Sequence, residues 1–239
     1  MRNTFDKYLE YNYGTKRYCS FTDSVPLMFI THRTPQYTEL DEVKMVLEGG
    51  CTWIQLRMKD NLNIITAKEV VSYMAKYYFN EAICCIDDNL EIAMASNADA
   101  IHLGKNDTPV SEAWKILIEH KREDLFFVGA TANTFEDIMH ADKEGASYVG
   151  LGPYRFTETK KNLSPVLGLE GYHKIMQQYR DAGLDIPVFA IGGINLKDVR
   201  PLMETGITGI AVSGAIINAN DPVKETQHFV EAVNKYKTK

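Results

Sequence analysis

Cysteine is scarce, tryptophan scarcer, and no long apolar run is present. Only 4 Cys and 2 Trp occur in 239 residues. Cys19, Cys51, Cys84 and Cys85 form no C-x-x-C pair, which speaks against a zinc ribbon or a dithiol redox motif. They read as buried, reduced thiols of a cytoplasmic protein. A bilayer-spanning helix needs ~20 apolar residues, and no stretch approaches that. The N-terminal segment MRNTFDKYLEYNYGTKRYCSF lacks an apolar core, so no secretory signal is expected. Positive charge is in deficit: 26 Lys+Arg against 32 Asp+Glu give a net charge of −6. With no basic tract, unspecific nucleic-acid binding is a poor reading, though a local cationic pocket is allowed. Hydrophobic residues at 45% and charged residues at 24% exclude disorder, collagen-like sequence and coiled coil.

What is present is a regular alternation. Short apolar runs lie at 27–31, 53–57, 82–86, 100–103, 125–129, 148–151, 187–191 and 209–212. Amphipathic stretches follow at 39–49, 64–79, 89–96, 111–120, 134–144, 169–182, 195–205 and 222–236. Runs this short, without alternation, suit parallel strands buried on both faces. Ser111, Thr134 and Asn195 read as helix starts; Gly145, Gly183 and Gly206 read as helix ends. Eight strand–helix pairs predict an α/β fold, a closed (β/α)8 TIM barrel over 27–239, and the length suits one such domain. Residues 1–26, polar and tyrosine-rich, read as a short N-terminal extension.

In this fold the chemistry sits just after the C-terminal ends of the strands. The second strand ends Gln55-Leu56-Arg57-Met58-Lys59, and alternation puts Gln55, Arg57 and Lys59 on one side. An Arg fork and a compact Lys charge suit a phosphate, unless a carboxylate neighbour simply buries the Arg. Asp87-Asp88 follows the third strand, and His102-Leu-Gly104-Lys105-Asn-Asp107 spans the end of the fourth. Carboxylates beside phosphate-binding cations suit a bridging Mg²⁺. Equally, Asp88 could cap a helix and Asp107 could serve a turn before Thr108-Pro109. His102 reads as a proton-transfer base or as a satisfied core histidine. Thr131 reads as a ligand contact or as a helix cap.

The sixth strand opens a loop of seventeen residues from Gly152 to Gly168, carrying Thr157, Glu158, Thr159, Lys160 and Lys161. Loops beyond ~12–15 residues are usually functional or disordered. Its threonines and lysines suit closure over phosphate. Gly192-Gly193 and Val212-Ser213-Gly214 end the last two strands, the frequent phosphate site of this fold. Two anion sites emerge: one metal-assisted on strands two to four, one metal-free on strands seven and eight. With no evident nucleophile, the pattern suggests a reaction driven by a departing pyrophosphate.

These motifs, in this order, resemble those of thiamine phosphate synthases (thiamine-phosphate pyrophosphorylases) over roughly residues 27–218. The carriers are Gln55–Lys59, Asp87-Asp88, His102–Asp107, Gly152-Pro153 through Lys160, Ile191–Ile194 and Ser213–Ile216. The resemblance implies a transferase of thiamine biosynthesis that joins a hydroxymethylpyrimidine pyrophosphate to a thiazole phosphate. It implies that Gln55, Leu56, Arg57, Met58, Lys59, Asp87, Thr131 and Lys160 hold the pyrimidine pyrophosphate. Arg57, Lys59 and Lys160 would be catalytic. Thr157, Glu158, Thr159, Gly192, Gly193, Val212 and Ser213 would hold the thiazole phosphate. Asp88 and Asp107 would bind Mg²⁺. The implied partners are small molecules, with no nucleic acid or membrane; homo-oligomerisation stays open.

The chain also departs from the family pattern. Asp87 stands where Asn is usual, and Lys105 where Gln is usual, so Lys105 is expected to offset the added carboxylate. Thr131 replaces a usual Ser, and Phe156 lies one residue later than the family's aromatic position. A related thiazole tautomerase would use a histidine base and no pyrophosphate apparatus. The other rivals are a non-catalytic binder of thiamine intermediates and a generic sugar-phosphate barrel enzyme.

Overall fold

The computed structural model describes residues 26–58, 63–78, 81–156 and 165–236. Eight parallel strands close into a barrel in sequence order. They are β1 Leu27–Ile30, β2 Trp53–Leu56, β3 Ile83–Asp87, β4 Ala100–Leu103, β5 Phe127–Ala132, β6 Tyr148–Leu151, β7 Val188–Ile191 and β8 Gly209–Val212. Closure comes from β1 pairing with β8, Met28 opposite Ala211. Around the barrel run α1 Glu39–Glu48, α2 Ile64–Tyr77, α3 Leu90–Ser96, α4 Val110–Glu119, α5 Phe135–Lys143 and α6 Gly168–Asp181. They are followed by α7 Val199–Met203, α8 Gly214–Ile217 and α9 Pro222–Tyr236. The (β/α)8 reading holds. The expected residues 1–25 of the N-terminal extension lie outside the described residues.

The unalternating strands are explained by two separate cores. In β1, Leu27 and Phe29 face the helices, while Met28 and Ile30 face the barrel interior. The interior is filled by side chains from every strand, among them Trp53, Cys85, Phe127, Tyr148 and Phe189. Trp53 meets Tyr148 edge-on at 4.9 Å and Phe189 at 4.8 Å. Such aromatic pairs add to the burial of their area. The barrel is therefore a packed solid and not a pore.

Local signals and structure differ in places that matter. Thr134 and Asn195 do head capping boxes, with Asp137 and Asp198. Ser111 does not cap a helix: α4 starts at Val110, after Pro109. The stretch 195–205 splits into a 3-10 turn, Leu196–Asp198, and α7. Strand β5 starts and ends later than its apolar run, because residues 123–125 form a 3-10 turn, and Thr131 becomes a strand residue. The short helix α8 carries no amphipathic signal of its own.

One buried carboxyl beside β1 gives a stability prediction. Glu42 of α1 is fully buried and accepts a hydrogen bond from the His32 backbone N–H at 2.8 Å. Its other oxygen has no hydrogen-bond partner among the described residues. Burial pushes its pKa up to about 7 from 4.5. The folded state thus holds a proton that the unfolded state releases, so stability falls as pH rises from about 4.5 to 7. Glu42→Gln keeps an acceptor for His32 and removes the charge. Its stability relative to wild type should improve between pH 5 and 8, by on the order of 3 kcal/mol. Urea unfolding at both pH values measures this; a gap independent of pH would contradict it.

Candidate active site

The C-terminal ends of the strands bring the candidate residues to one mouth. Gln55, inward on β2, donates from Nε2 to Asp87 Oδ1 at 2.5 Å. Arg57 Nε sits 3.1 Å from Asp87 Oδ2. Asp87 is thus held between an amide and a guanidinium, largely buried. Thr31 fixes the Arg57 backbone from the neighbouring strand: its Oγ1 accepts from Arg57 N at 2.8 Å and donates to Arg57 O at 3.2 Å. The expected partner of Asp87 is corrected. Lys105 lies 2.6 Å from Asp137 on α5, on the other side of β4, and Arg57 neutralises Asp87 instead. Leu56 and Met58 turn their side chains into the outer core, leaving only their backbone for a ligand. Lys59 lies outside the described residues.

Asp88 has φ +67, a left-handed backbone rarely taken by a residue with a side chain. The helix cap expected of it falls to Asn89, whose side chain accepts from Ile92 N at 2.8 Å. Asp88 is therefore released toward Asp107, with which it shares a hydrogen bond. Asp107 also accepts from the Gly104 N–H at 2.6 Å, so it serves the turn as well as facing the mouth. Loss of water in the concave mouth, and then the like charges of Asp87 and Asp107, push the Asp88 carboxyl up to about 7. Two carboxyls this close want a proton or a cation between them.

Further round, His102 on β4 is engaged at both ring nitrogens. Nδ1 lies 3.2 Å from the Tyr148 hydroxyl and Nε2 lies 3.0 Å from Thr131 Oγ1. Thr131 faces the mouth and does not cap α5, a role taken by Thr134.

The loop after β6 is pinned to β7 before it leaves the described residues at 157. Tyr154 N donates to Ile191 O at 2.8 Å and Arg155 N to Gly192 O at 2.9 Å. The Arg155 guanidinium grips Asp198 through two bonds of 2.9 and 3.0 Å. Gly192 has φ +101, and a β-carbon there would come within 2.8 Å of Pro153 Cβ, so only glycine fits this crossing. On β8, Val212 points into the outer core. The Ser213 hydroxyl is buried without a hydrogen-bond partner among the described residues. An orphan hydroxyl costs free energy unless a ligand satisfies it. Thr157, Glu158, Thr159 and Lys160 lie outside the described residues.

Sequence reasoning missed the Arg155–Asp198 clamp, the Thr31 staple and Tyr148. Asp198 was visible as the third helical residue after Asn195, where a capping-box acid belongs. Nothing local marks Arg155 as its partner, 43 residues away.

A closed parallel barrel with a cation, carboxylates and glycine turns gathered at one mouth defines a (β/α)8-barrel enzyme. Comparison with known proteins is specific. Residues 27–216 match the family model for thiamine monophosphate synthase. A thiamine-phosphate synthase of Bacteroides fragilis is 50% identical over 204 residues, covering 85% of this chain and 98% of that one. One of Pyrococcus abyssi is 34% identical over 212 residues, covering 87% and 95%. The solved thiamine phosphate pyrophosphorylase of Pyrococcus furiosus superposes with a TM-score of 0.76 at 32% identity, covering 90% of this chain and 98% of that chain. The chain belongs to the thiamine monophosphate synthase family, and it is a transferase. A structure titled native KDPGal, at 17% identity and a TM-score of 0.65, shares the fold. Among the described residues no helix is long and apolar enough to cross a membrane.

Proposed function

We propose that this protein, through its barrel domain, condenses a hydroxymethylpyrimidine pyrophosphate with a thiazole phosphate to give thiamine phosphate and pyrophosphate, in the cytoplasm. The observation that carries the reading is the meeting of Arg57, Asp88 and Asp107 at the mouth that also holds the Ser213 hydroxyl.

The carbon–oxygen bond to pyrophosphate breaks first, and both electrons leave with the pyrophosphate. The pyrimidine ring stabilises the carbocation left behind. The thiazole nitrogen then attacks with its lone pair. That nitrogen carries no proton, and its charge persists in the product, so the reaction needs no general base. This agrees with a mouth whose histidine is engaged at both nitrogens. A tautomerase would be expected to carry a histidine where this chain has Thr131.

Each residue then has a role. Arg57, already oriented by Asp87 and Thr31, brings its positive charge to the pyrophosphate oxygens. Gln55 fixes Asp87 so that the added carboxylate turns away from the anion. Lys59 and Lys160 supply further charge, Lys160 at the leaving group. The donor set fits magnesium: two carboxyls in like-charge contact, open to the mouth, suit an ion that takes one or two carboxylates plus phosphate oxygens and water. Among the described residues no group of three or more His, Cys, Asp or Glu could hold a metal. Protein carboxylates and substrate oxygens together would complete the shell. Bound there by Asp88 and Asp107, magnesium would supply charge neutralisation for the pyrophosphate. The thiazole phosphate would be held by Gly192, Gly193, the Val212 backbone and Ser213, and closed over by Thr157, Glu158 and Thr159.

The test is direct. Purified protein with both precursors should release pyrophosphate and form thiamine phosphate only with Mg²⁺. Absence of product where both precursors bind would overturn the reading in favour of a binder. Asp88→Ala and Asp107→Ala should each raise the Mg²⁺ concentration for half-maximal rate by about tenfold or more. An unchanged activation curve would remove that residue as a ligand.

A further inference from the structure

The barrel interior lies directly beneath Thr131. There a hydrogen-bonded file crosses four strands. Cys85 Sγ on β3 lies 3.6 Å from the Tyr148 hydroxyl on β6. That hydroxyl lies 3.2 Å from His102 Nδ1 on β4, and His102 Nε2 lies 3.0 Å from Thr131 Oγ1 on β5. Three of the four are buried, and only Thr131 reaches the mouth.

Room for the two rings is built into the neighbouring strands. In register with Tyr148 stands Gly129, where a β-carbon would fall 2.1 Å from the Tyr148 ring. Opposite Thr131 stands Gly150, where a β-carbon would fall 3.2 Å from His102 Cε1. Both glycines have ordinary backbone conformations, so space alone calls for them.

Proton bookkeeping gives the file a direction. Burial keeps the Cys85 thiol protonated, and its S–H points at Ile86 O, 3.5 Å away. The Tyr148 hydroxyl meets both a thiol sulfur and an imidazole nitrogen. Sulfur is a weak acceptor and imidazole nitrogen a strong one, so the phenol donates to Nδ1. A neutral imidazole that accepts at Nδ1 carries its proton on Nε2. It therefore donates to Thr131 Oγ1. With a lone pair so occupied, the threonine hydrogen turns outward into the mouth.

We propose that Tyr148 and His102 are positioning residues that make Thr131 an obligate hydrogen-bond donor to an acceptor atom of the pyrimidine pyrophosphate. This deepens the synthase reading and rests on it. Neither Tyr148 nor His102 touches substrate; both act through the Thr131 hydroxyl.

The tautomer is measurable without any variant. Nitrogen-15 NMR of the full-length wild type should show His102 protonated at Nε2 and bare at Nδ1. A proton at Nδ1 would overturn the proposal, because Thr131 would then have to donate back to His102. Variants test the consequence. Tyr148→Phe keeps the ring that packs on Trp53 and removes only the hydroxyl. It should mix the tautomers and lower kcat/KM for the pyrimidine substrate about tenfold, leaving KM for the thiazole phosphate unchanged. Unchanged kcat/KM in this variant would overturn the proposal. His102→Gln places an amide N–H where Nε2–H stands, and should retain activity within about threefold of wild type. His102→Leu, with no donor, should not. Equal losses in these two variants would also overturn it. Should the Tyr148 variant not fold, the wild-type spectrum and the His102 pair still decide. If wild type makes no thiamine phosphate, the synthase reading fails, and the spectrum reports on the tautomer independently.

Discussion

Arg57→Ala should damage the protein twice, in stability and in rate. The guanidinium is 14% exposed and its partner carboxylate 8%, so removal takes from a buried Asp87 the cation 3.1 Å away. Removing one member of a buried pair costs about 3–5 kcal/mol. On the synthase reading proposed above, the same change takes a cation from the leaving pyrophosphate, and kcat/KM for the pyrimidine substrate should fall by about 10²–10³. A second substitution separates the effects. Asp87→Asn alone can keep both contacts if its oxygen accepts from Arg57 and its NH2 donates to a turned Gln55 amide, so it should cost less than Arg57→Ala. Added to Arg57→Ala, it should return more than about 1 kcal/mol of the lost stability while leaving the rate low. Urea unfolding and steady-state kinetics of the four proteins complete the cycle. Stabilities that simply add would show that Asp87 and Arg57 are not coupled. Lys105→Ala is the control: bound to Asp137, it should not change the effect of Asp87→Asn.

Lys160→Ala should act on turnover alone. Its loop leaves the mouth from a fixed point, since Tyr154 and Arg155 are tied to Ile191, Gly192 and Asp198. On the synthase reading proposed above, Lys160 would meet more charge in the transition state than in the ground state. Such interactions raise kcat and leave substrate affinity nearly alone. The expected loss is about 10²–10³ in kcat, with KM changed by no more than a few-fold. A loss confined to KM would contradict a leaving-group role. Pre-steady-state measurement of pyrophosphate release places the defect in the bond-breaking step or after it.

The barrel was legible because its strands have two buried faces and its helices one, and both patterns are local. Gln55 and Arg57 could be placed on one side because alternation is a property of the strand itself. Asp88 and Asp107 were legible as a pair because neighbouring strand ends must be adjacent. What stayed hidden depends on partners distant in the chain. Asp87 can be seen as an extra carboxylate, yet the cation that meets it is chosen by barrel curvature. The side of β4 on which Lys105 leaves the strand decided against it. Tyr148 reads as one more apolar residue of a buried run. Its hydroxyl gains meaning only when β4, β5 and β6 stand side by side. The extent of β5 was misjudged because the apolar run began in a 3-10 turn and its last three residues, Ala130-Thr131-Ala132, look like a loop.

The order of the strands also bears on how the chain is made. Seven of the eight strand junctions join neighbours in sequence, and one, β1 with β8, joins the two ends of the barrel. Until β8 has been synthesised, the growing sheet presents two unpaired edges, with apolar residues on both faces. Neither edge strand, Leu27–Ile30 or Gly209–Val212, carries a charge or a proline of its own that would blunt it. Pairing of β8 with β1, which must wait until the chain has been made through Val212, is therefore the point at which the nascent chain stops being a template for other chains.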